Sequence, residues 1–221
     1  MEDRIILIDK PAGISSFGVV AKVRGHLKTE FGHKVKVGHA GTLDPFATGL
    51  LILLSGKYTK RANEFLKLDK VYETTMKLGF VSSTGDVEGE ISRYSAAQSP
   101  RLSSVESVLE LFTGEIEQTP PKFSAIKING QRAYKMARAG KDFEMPTRKV
   151  TIYKIEILEY NYPDLKIRCH VSSGTYIRSL VQDIGEALGV GAYCTELRRL
   201  KIGDMSVKQA EKLSAYEKPQ L

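Results

Sequence analysis

The spacing of apolar and polar positions changes several times along the chain, and each change marks an element. IILI at Ile5–Ile8 and LLILL at Leu50–Leu54 are unbroken apolar runs of strand length, which read as buried strands. Between them Val20, Val23 and Leu27 recur at helical spacing, and Ser15 or Ser16 can cap that helix. VYETTMKLGF, from Val71, is rich in β-branched and aromatic residues and reads as a strand. Ser103 and Glu106 have capping-box spacing; Val105, Val108, Leu109 and Phe112 give the stripe, and Gly114 the stop. A short helix is expected from about Arg132 to Ala139, ended by Gly140, and a strand at Val150–Leu158. Leu165, Ile167, Cys169 and Val171 alternate with Lys166, Arg168 and His170, as in a half-exposed strand. Thr175 can cap a helix bearing Ile177, Leu180, Val181, Ile184 and Leu188, closed by Gly189. A last short helix is expected over Ser206–Leu213.

These elements mix strands and helices without a regular βαβ rhythm, and the adjacent strands near Val150–Val171 suggest a hairpin. The expected class is α+β, a mixed, largely antiparallel central sheet flanked by helices. The segment around Pro121–Pro146, carrying prolines and glycines, interrupts the strand run and is expected to leave the body of the fold. At 221 residues, 42% of them hydrophobic, the chain suits one large domain, or one domain plus a small annex, with a real core.

Composition removes several function classes. No apolar run approaches the roughly 18 residues of a membrane span. The start, MEDRIILIDKPAG, has no basic n-region or cleavage site. Cys169 and Cys194 form no CxxC pair and are expected to be reduced, so a cytoplasmic protein is expected. His26, His33, His39 and His170 show no HExxH or comparable pattern, so no metal is expected. Gly56–Tyr58 lacks the spacing of a P-loop, no GxGxxG follows a strand, and Ser172–Gly174 is not a nucleophile elbow.

Charge adds a partner. The 33 Lys and Arg against 26 Asp and Glu give a net +7, which favours a polyanion. From Lys122 to Lys149 there are eight basic residues and two acids. A solvated basic face is one reading. Phe123 and Tyr134 among those charges favour RNA, whose bases stack on rings.

Two residues stand out chemically. Asp44 lies in VGHAGTLDPFATGLL, between a leucine and a proline and among Gly38, Gly41 and Gly49. Asp followed by Pro is a standard helix opening. Yet Ala47-Thr48-Gly49 leave barely one helical turn before the next strand, and Pro45 pushes Asp44 towards an extended conformation. A carboxylate held so firmly can cap or react. Arg178 lies in the first turn of the helix after Thr175, where a cation opposes the helix dipole at a cost of about 0.3–1 kcal/mol. Arg178 is either a tolerated surface residue or the charge partner of a buried acid, which it would keep ionised.

The chain closely resembles the bacterial TruB-type tRNA pseudouridine synthases. The ordered blocks are DKPAGISSFGVV (Asp9–Val20), GHAGTLDPFATGLL (Gly38–Leu51), KVY (Lys70–Tyr72) and STGDVEG (Ser83–Gly89). They continue with QTPPKFSAIKINGQRAYKMARAG (Gln118–Gly140), SSGTYIRSLVQDIG (Ser172–Gly185) and ELRRLKIG (Glu196–Gly203). The resemblance implies isomerisation of uridine to pseudouridine at position 55, in the T loop of tRNA. It implies Asp44 as the catalytic aspartate and Arg178 as the arginine that pairs with it. Tyr72 would stack on the target uracil, His39 would pack against the RNA near the extruded base, and Tyr176 and Leu197 would line the uracil pocket. The segment at about 121–149, with Lys127 and Arg132, would be an RNA-clamping insertion in a single catalytic domain.

That chemistry has no redox step, so no cofactor is expected. An ionised carboxylate can attack the sugar carbon or remove a sugar proton to form a glycal, and apolar Leu43, Phe46 and Leu197 suit a site that excludes water. The chain ends soon after Gly203, so the small C-terminal RNA-binding (PUA-like) domain of many relatives is expected to be missing. That argues against a guide-RNA-dependent synthase; a non-catalytic RNA-binding or RNA-folding module is the other alternative. The expected partner is the T-arm of tRNA, with no membrane and no protein partner, and nothing signals an assembly beyond a monomer.

Overall fold

In a computed structural model describing residues 2–94 and 98–216, the apolar runs become strands. In chain order the elements are β1 (Ile5–Lys10), α1 (Ser16–Phe31), β2 (Val37–His39), β3 (Thr48–Ser55), α2 (Ala62–Leu66), β4 (Lys70–Leu78), β5 (Phe80–Ser82) and β6 (Ile91–Arg93). Then follow α3 (Leu102–Leu111), β7 (Gly114–Gln118), β8 (Lys127–Ile128), β9 (Gln131–Arg132), α4 (Ala133–Arg138), β10 (Arg148–Asn161) and β11 (Asp164–Val171). The last are α5 (Ile177–Ala187), β12 (Ala192–Ile202), β13 (Met205–Ser206) and β14 (Glu211–Lys212). The chain divides into two units, residues 1–73 with 197–221 and residues 74–196. It passes from one to the other inside β4 and returns inside β12. The pairing is mostly antiparallel, with parallel pairs in the first unit, and helices lie beside the strands, as the α+β reading expects.

In the first unit the strands run β14-β1-β3-β12. β1 is antiparallel to β3, with Ile8 opposite Leu51, while β12 is parallel to β3, with Arg199 opposite Gly49. One face of β3 packs Leu51 and Leu53 with Val19, Val20, Val23 and Leu27 of α1. The other packs Leu50, Ile52 and Leu54 with Phe65 and Ile202. Burial on both faces explains why its sequence is continuously apolar. Ser15 caps α1 by accepting the Gly18 N–H at 3.0 Å.

In the second unit β12, β4, β11, β10 and β7 follow one another. β10 and β11 form the expected hairpin, and β11 buries Leu165, Ile167, Cys169 and Val171. α5 buries Ile177, Leu180, Val181 and Ile184. Residues 121–146 contain the β8–β9 hairpin, which pairs only with itself, and α4; most of their side chains are exposed.

Four local expectations change. The capping box at Ser103 does not form: the N-cap lies two residues earlier, at Arg101, whose carbonyl accepts from Ser104 and Val105, and Gly114 opens β7. Thr175 does not cap α5, because its hydroxyl donates to Ser172 O at 3.0 Å and Tyr176 takes the cap position. The strand from Val71 breaks at Gly79, whose φ of 83° suits glycine. Over Ser206–Leu213 the chain makes a 3₁₀ turn at Val207–Gln209 and then strand β14, parallel to β1, instead of a helix.

Candidate active site

No helix starts at Pro45. The Ala47 N–H donates to Asp44 O at 3.2 Å, a single turn, and β3 begins at Thr48. Asp44 therefore does not cap a helix, and its conformation is set by its neighbours. Arg199, buried at an inward position of β12, donates to Leu50 O at 2.7 Å, Gly41 O at 3.1 Å and Thr42 O at 3.3 Å. The Ser16 hydroxyl both donates to Leu43 O and accepts from Leu43 N–H, each at 2.8 Å. Pro45 O accepts from Lys10 Nζ at 3.0 Å and from the Gly13 N–H at 2.9 Å. Lys10 is fully buried and also donates to Ile14 O and Pro11 O. The backbone is thus tied at 41, 42, 43 and 45, leaving the Asp44 side chain half-buried on a fixed loop. Gly49 completes the arrangement: its φ is 100°, and a Cβ there would lie 2.3 Å from Arg199 O.

The same unit carries three more residues singled out by the sequence. His39 ends β2 and is half-buried. Leu197 and Tyr72 are buried at alternate positions of β12 and β4, Tyr72 being 8% exposed. Lys70, two residues before Tyr72, donates to Leu66 O at 2.7 Å and to Leu68 O. Burial, and then the positive charge of Arg199, push its pKa down to about 8.

The second unit holds Arg178, Tyr176, Lys127 and Arg132. Arg178 is 3% exposed, so the surface reading fails. Its Nη1 lies 3.1 Å from Asp86 Oδ2 and donates to Thr84 O at 2.9 Å, while Nη2 donates to Phe123 O at 2.9 Å. The other Asp86 oxygen accepts from Thr84 Oγ1 at 2.6 Å and the Glu88 N–H at 3.0 Å. A buried ion pair with such hydrogen bonds offsets the unfavourable dipole position. Tyr176 is held by Gln118, whose side-chain amide accepts its N–H at 2.8 Å and donates to its carbonyl at 3.1 Å. The Arg148 guanidinium lies over the Tyr176 ring, 4.7 Å from its centre, and donates to Gly174 O. Lys127 and Arg132 are exposed on β8 and β9, with Arg132 donating to Ala125 O at 3.3 Å. Lys122 and Lys149 reach Asp142 and Glu115 at 3.4 and 2.8 Å in exposed pairs. On α5, burial and then Glu186 push the Asp183 pKa up to about 6.

Lys10, Arg199, Asp86, Gln118 and Arg148 were not singled out by the sequence. Lys10 and Arg199 occupy buried positions of β1 and β12, but neither strand alternates in sequence, so the sequence carried no signal for them.

Comparison with known proteins matches both parts of the chain. Residues 27–177 match the N-terminal domain model of the TruB family pseudouridylate synthases, and residues 178–218 match the C-terminal domain model of tRNA pseudouridylate synthase B. A tRNA pseudouridine synthase B from Phocaeicola vulgatus is 44% identical over 97% of this chain and 92% of its own. One from Flavobacterium johnsoniae is 42% identical over 98% and 96%. Among solved structures, a Cbf5-Nop10-Gar1 complex superposes with a TM-score of 0.72 at 31% identity, covering 96% of this chain and 53% of that one. An H/ACA RNP bound to a substrate RNA containing 2′-deoxyuridine gives 0.70 at 30% identity, covering 96% and 51%. The chain thus spans about half the length of those two solved chains.

Proposed function

The chain belongs to the TruB family of tRNA pseudouridine synthases, and on that premise we propose that it isomerises uridine-55 in the T loop of tRNA, with Asp44 as the reacting carboxylate. The observation that supports this reading is the fixed backbone on both sides of Asp44, tied by Arg199, Ser16 and Lys10. A reacting group gains from being held in place before substrate arrives. A carboxylate serving only as a helix cap needs no such support, and here there is no helix to cap.

In the proposed reaction the bond between uracil N1 and C1′ breaks, the base turns, and C5 joins C1′. The C5 hydrogen leaves as a proton and N1 is protonated, so nothing is oxidised. Asp44 starts the sequence by attack on C1′ or by taking a sugar proton. Arg178 supplies positive charge for the reacting carboxylate. Tyr72 receives the unstacked base, His39 packs on the RNA, and Tyr176 and Leu197 each give the uracil a surface. Residues 122–149, with Lys127 and Arg132, bind phosphates.

The test is turnover of an unmodified tRNA transcript by the purified protein, read as tritium released from uracil C5. Wild type should release tritium without any guide RNA. Asp44→Asn should release none while binding the transcript nearly as well. Retention of even a few per cent of turnover would remove the role of Asp44. A need for guide RNA would favour the guide-dependent reading, and binding without turnover the non-catalytic one.

A further inference from the structure

Helix α1 has an outer stripe that packs into neither hydrophobic core cluster found among the described residues. Its inner positions, Val19, Val20, Val23 and Leu27, are buried against β1 and β3. Phe17, Ala21, Arg24 and Lys28 recur at spacings of four, three and four, which places them along one side of the helix. Phe17 is 65% exposed, and Ala21 and Lys28 are exposed. The Arg24 guanidinium lies 5.8 Å from the centre of the Phe17 ring. The helix carries Lys22, Arg24 and Lys28 but one acid, Glu30, and Glu30 is already bonded to Arg4 at 2.6 Å. An exposed aromatic side chain followed by a half-buried and an exposed cation along one side of a helix is a pattern that can stack a base and hold its phosphates.

The position of the stripe is fixed. Ser15 caps the helix, and Ser16 ties its first turn to Leu43, the residue before Asp44. Gly18 lets the start of the helix lie against Ile14, whose Cγ1 would be 2.7 Å from a Cβ at that position. Phe17 is therefore presented by the same contacts that set the Asp44 loop.

We propose that this stripe is a second RNA-contact surface, separate from residues 122–149: Phe17 stacks an unpaired base of the substrate loop, and Arg24 and Lys28 contact its phosphates. The inference rests on the reading that the substrate is RNA, but its readout is binding, not turnover.

The experiment measures the Kd of a T-arm stem–loop transcript at several salt concentrations. Phe17→Ala should weaken binding about 5- to 150-fold, the range for loss of one stacked base. Phe17→Leu, which keeps an apolar side chain, should weaken it similarly, and Phe17→Trp should restore it. The double change Arg24→Gln and Lys28→Gln should reduce the slope of log affinity against log salt by about 1.4 to 1.8. Unchanged Kd in Phe17→Leu overturns the proposal. So does a wild-type dimer in sedimentation that Phe17→Leu dissolves, since the face would then belong to a second copy. If tRNA is not isomerised but binding still depends on Phe17, the proposed reaction fails and this surface stands.

Discussion

Arg178 Nη1 lies 3.1 Å from Asp86 Oδ2, and both side chains are almost wholly buried. Removing one member of such a pair leaves an uncompensated buried charge, at a cost of about 3–5 kcal/mol. Arg178→Met should therefore lower both turnover and the urea midpoint. Arg178→Lys should fall less on both, because it keeps a charge without the planar fork. Asp86→Asn should lose stability as well. A methionine variant as stable as wild type would show that the pair contributes no net stability.

Gly49 and Arg199 interlock, so Gly49→Ala should be costly. The backbone conformation alone costs about 1–3 kcal/mol in a non-glycine residue, and overpacking a similar amount. In a domain of this size each kcal/mol lowers Tm by about 2–4 °C. Arg199→Met should also destabilise, since it strands three carbonyls at about 1–3 kcal/mol each where they stay buried. Thermal melts of the two variants check this; a Gly49→Ala melt within 2 °C or so of wild type would contradict it.

Asp183 gives a pH signature. Its carboxyl pKa is raised to about 6 in the folded protein, by burial and then by Glu186. The stability this protonated group contributes is fully present below about pH 4 and is lost as pH rises through 6. Asp183→Asn should thus melt higher than wild type at pH 7.5, with the difference shrinking towards pH 4. Parallel curves across that range would mean that the carboxyl is not perturbed.

Salt tests the basic segment. Lys127, Arg132 and Lys135 are all exposed. Replacing the three by alanine should reduce the slope of log affinity against log salt by about 2 to 3 if each meets one phosphate. An unchanged slope would place the phosphate contacts elsewhere.

The sequence made the strands and the two long helices legible because burial imposes a period on them. β3 reads as a continuous apolar run because both faces are covered, and β11 alternates because one is. The helix starts were harder to place. Ser15, Ser103 and Thr175 all have capping chemistry, but only Ser15 caps, since Thr175 is taken by Ser172 O and α3 starts from Arg101. The support around Asp44 was the least legible. Arg199 meets Gly41, Thr42 and Leu50 from about 150 residues away, and a periodic pattern carries no record of such a partner. Gly49 was visible as one glycine among several. That it is tied to Arg199 follows from their pairing across β3 and β12 and from the 2.3 Å approach.

Lys10 spends its three N–H groups on the carbonyls of Pro11, Ile14 and Pro45 and exposes no surface. It should therefore escape amine-directed labelling that modifies the surface lysines of the native protein. Quantified by mass spectrometry, acylation of this one amine would report opening of the loop that carries Asp44, independently of RNA and of any assay of the reaction.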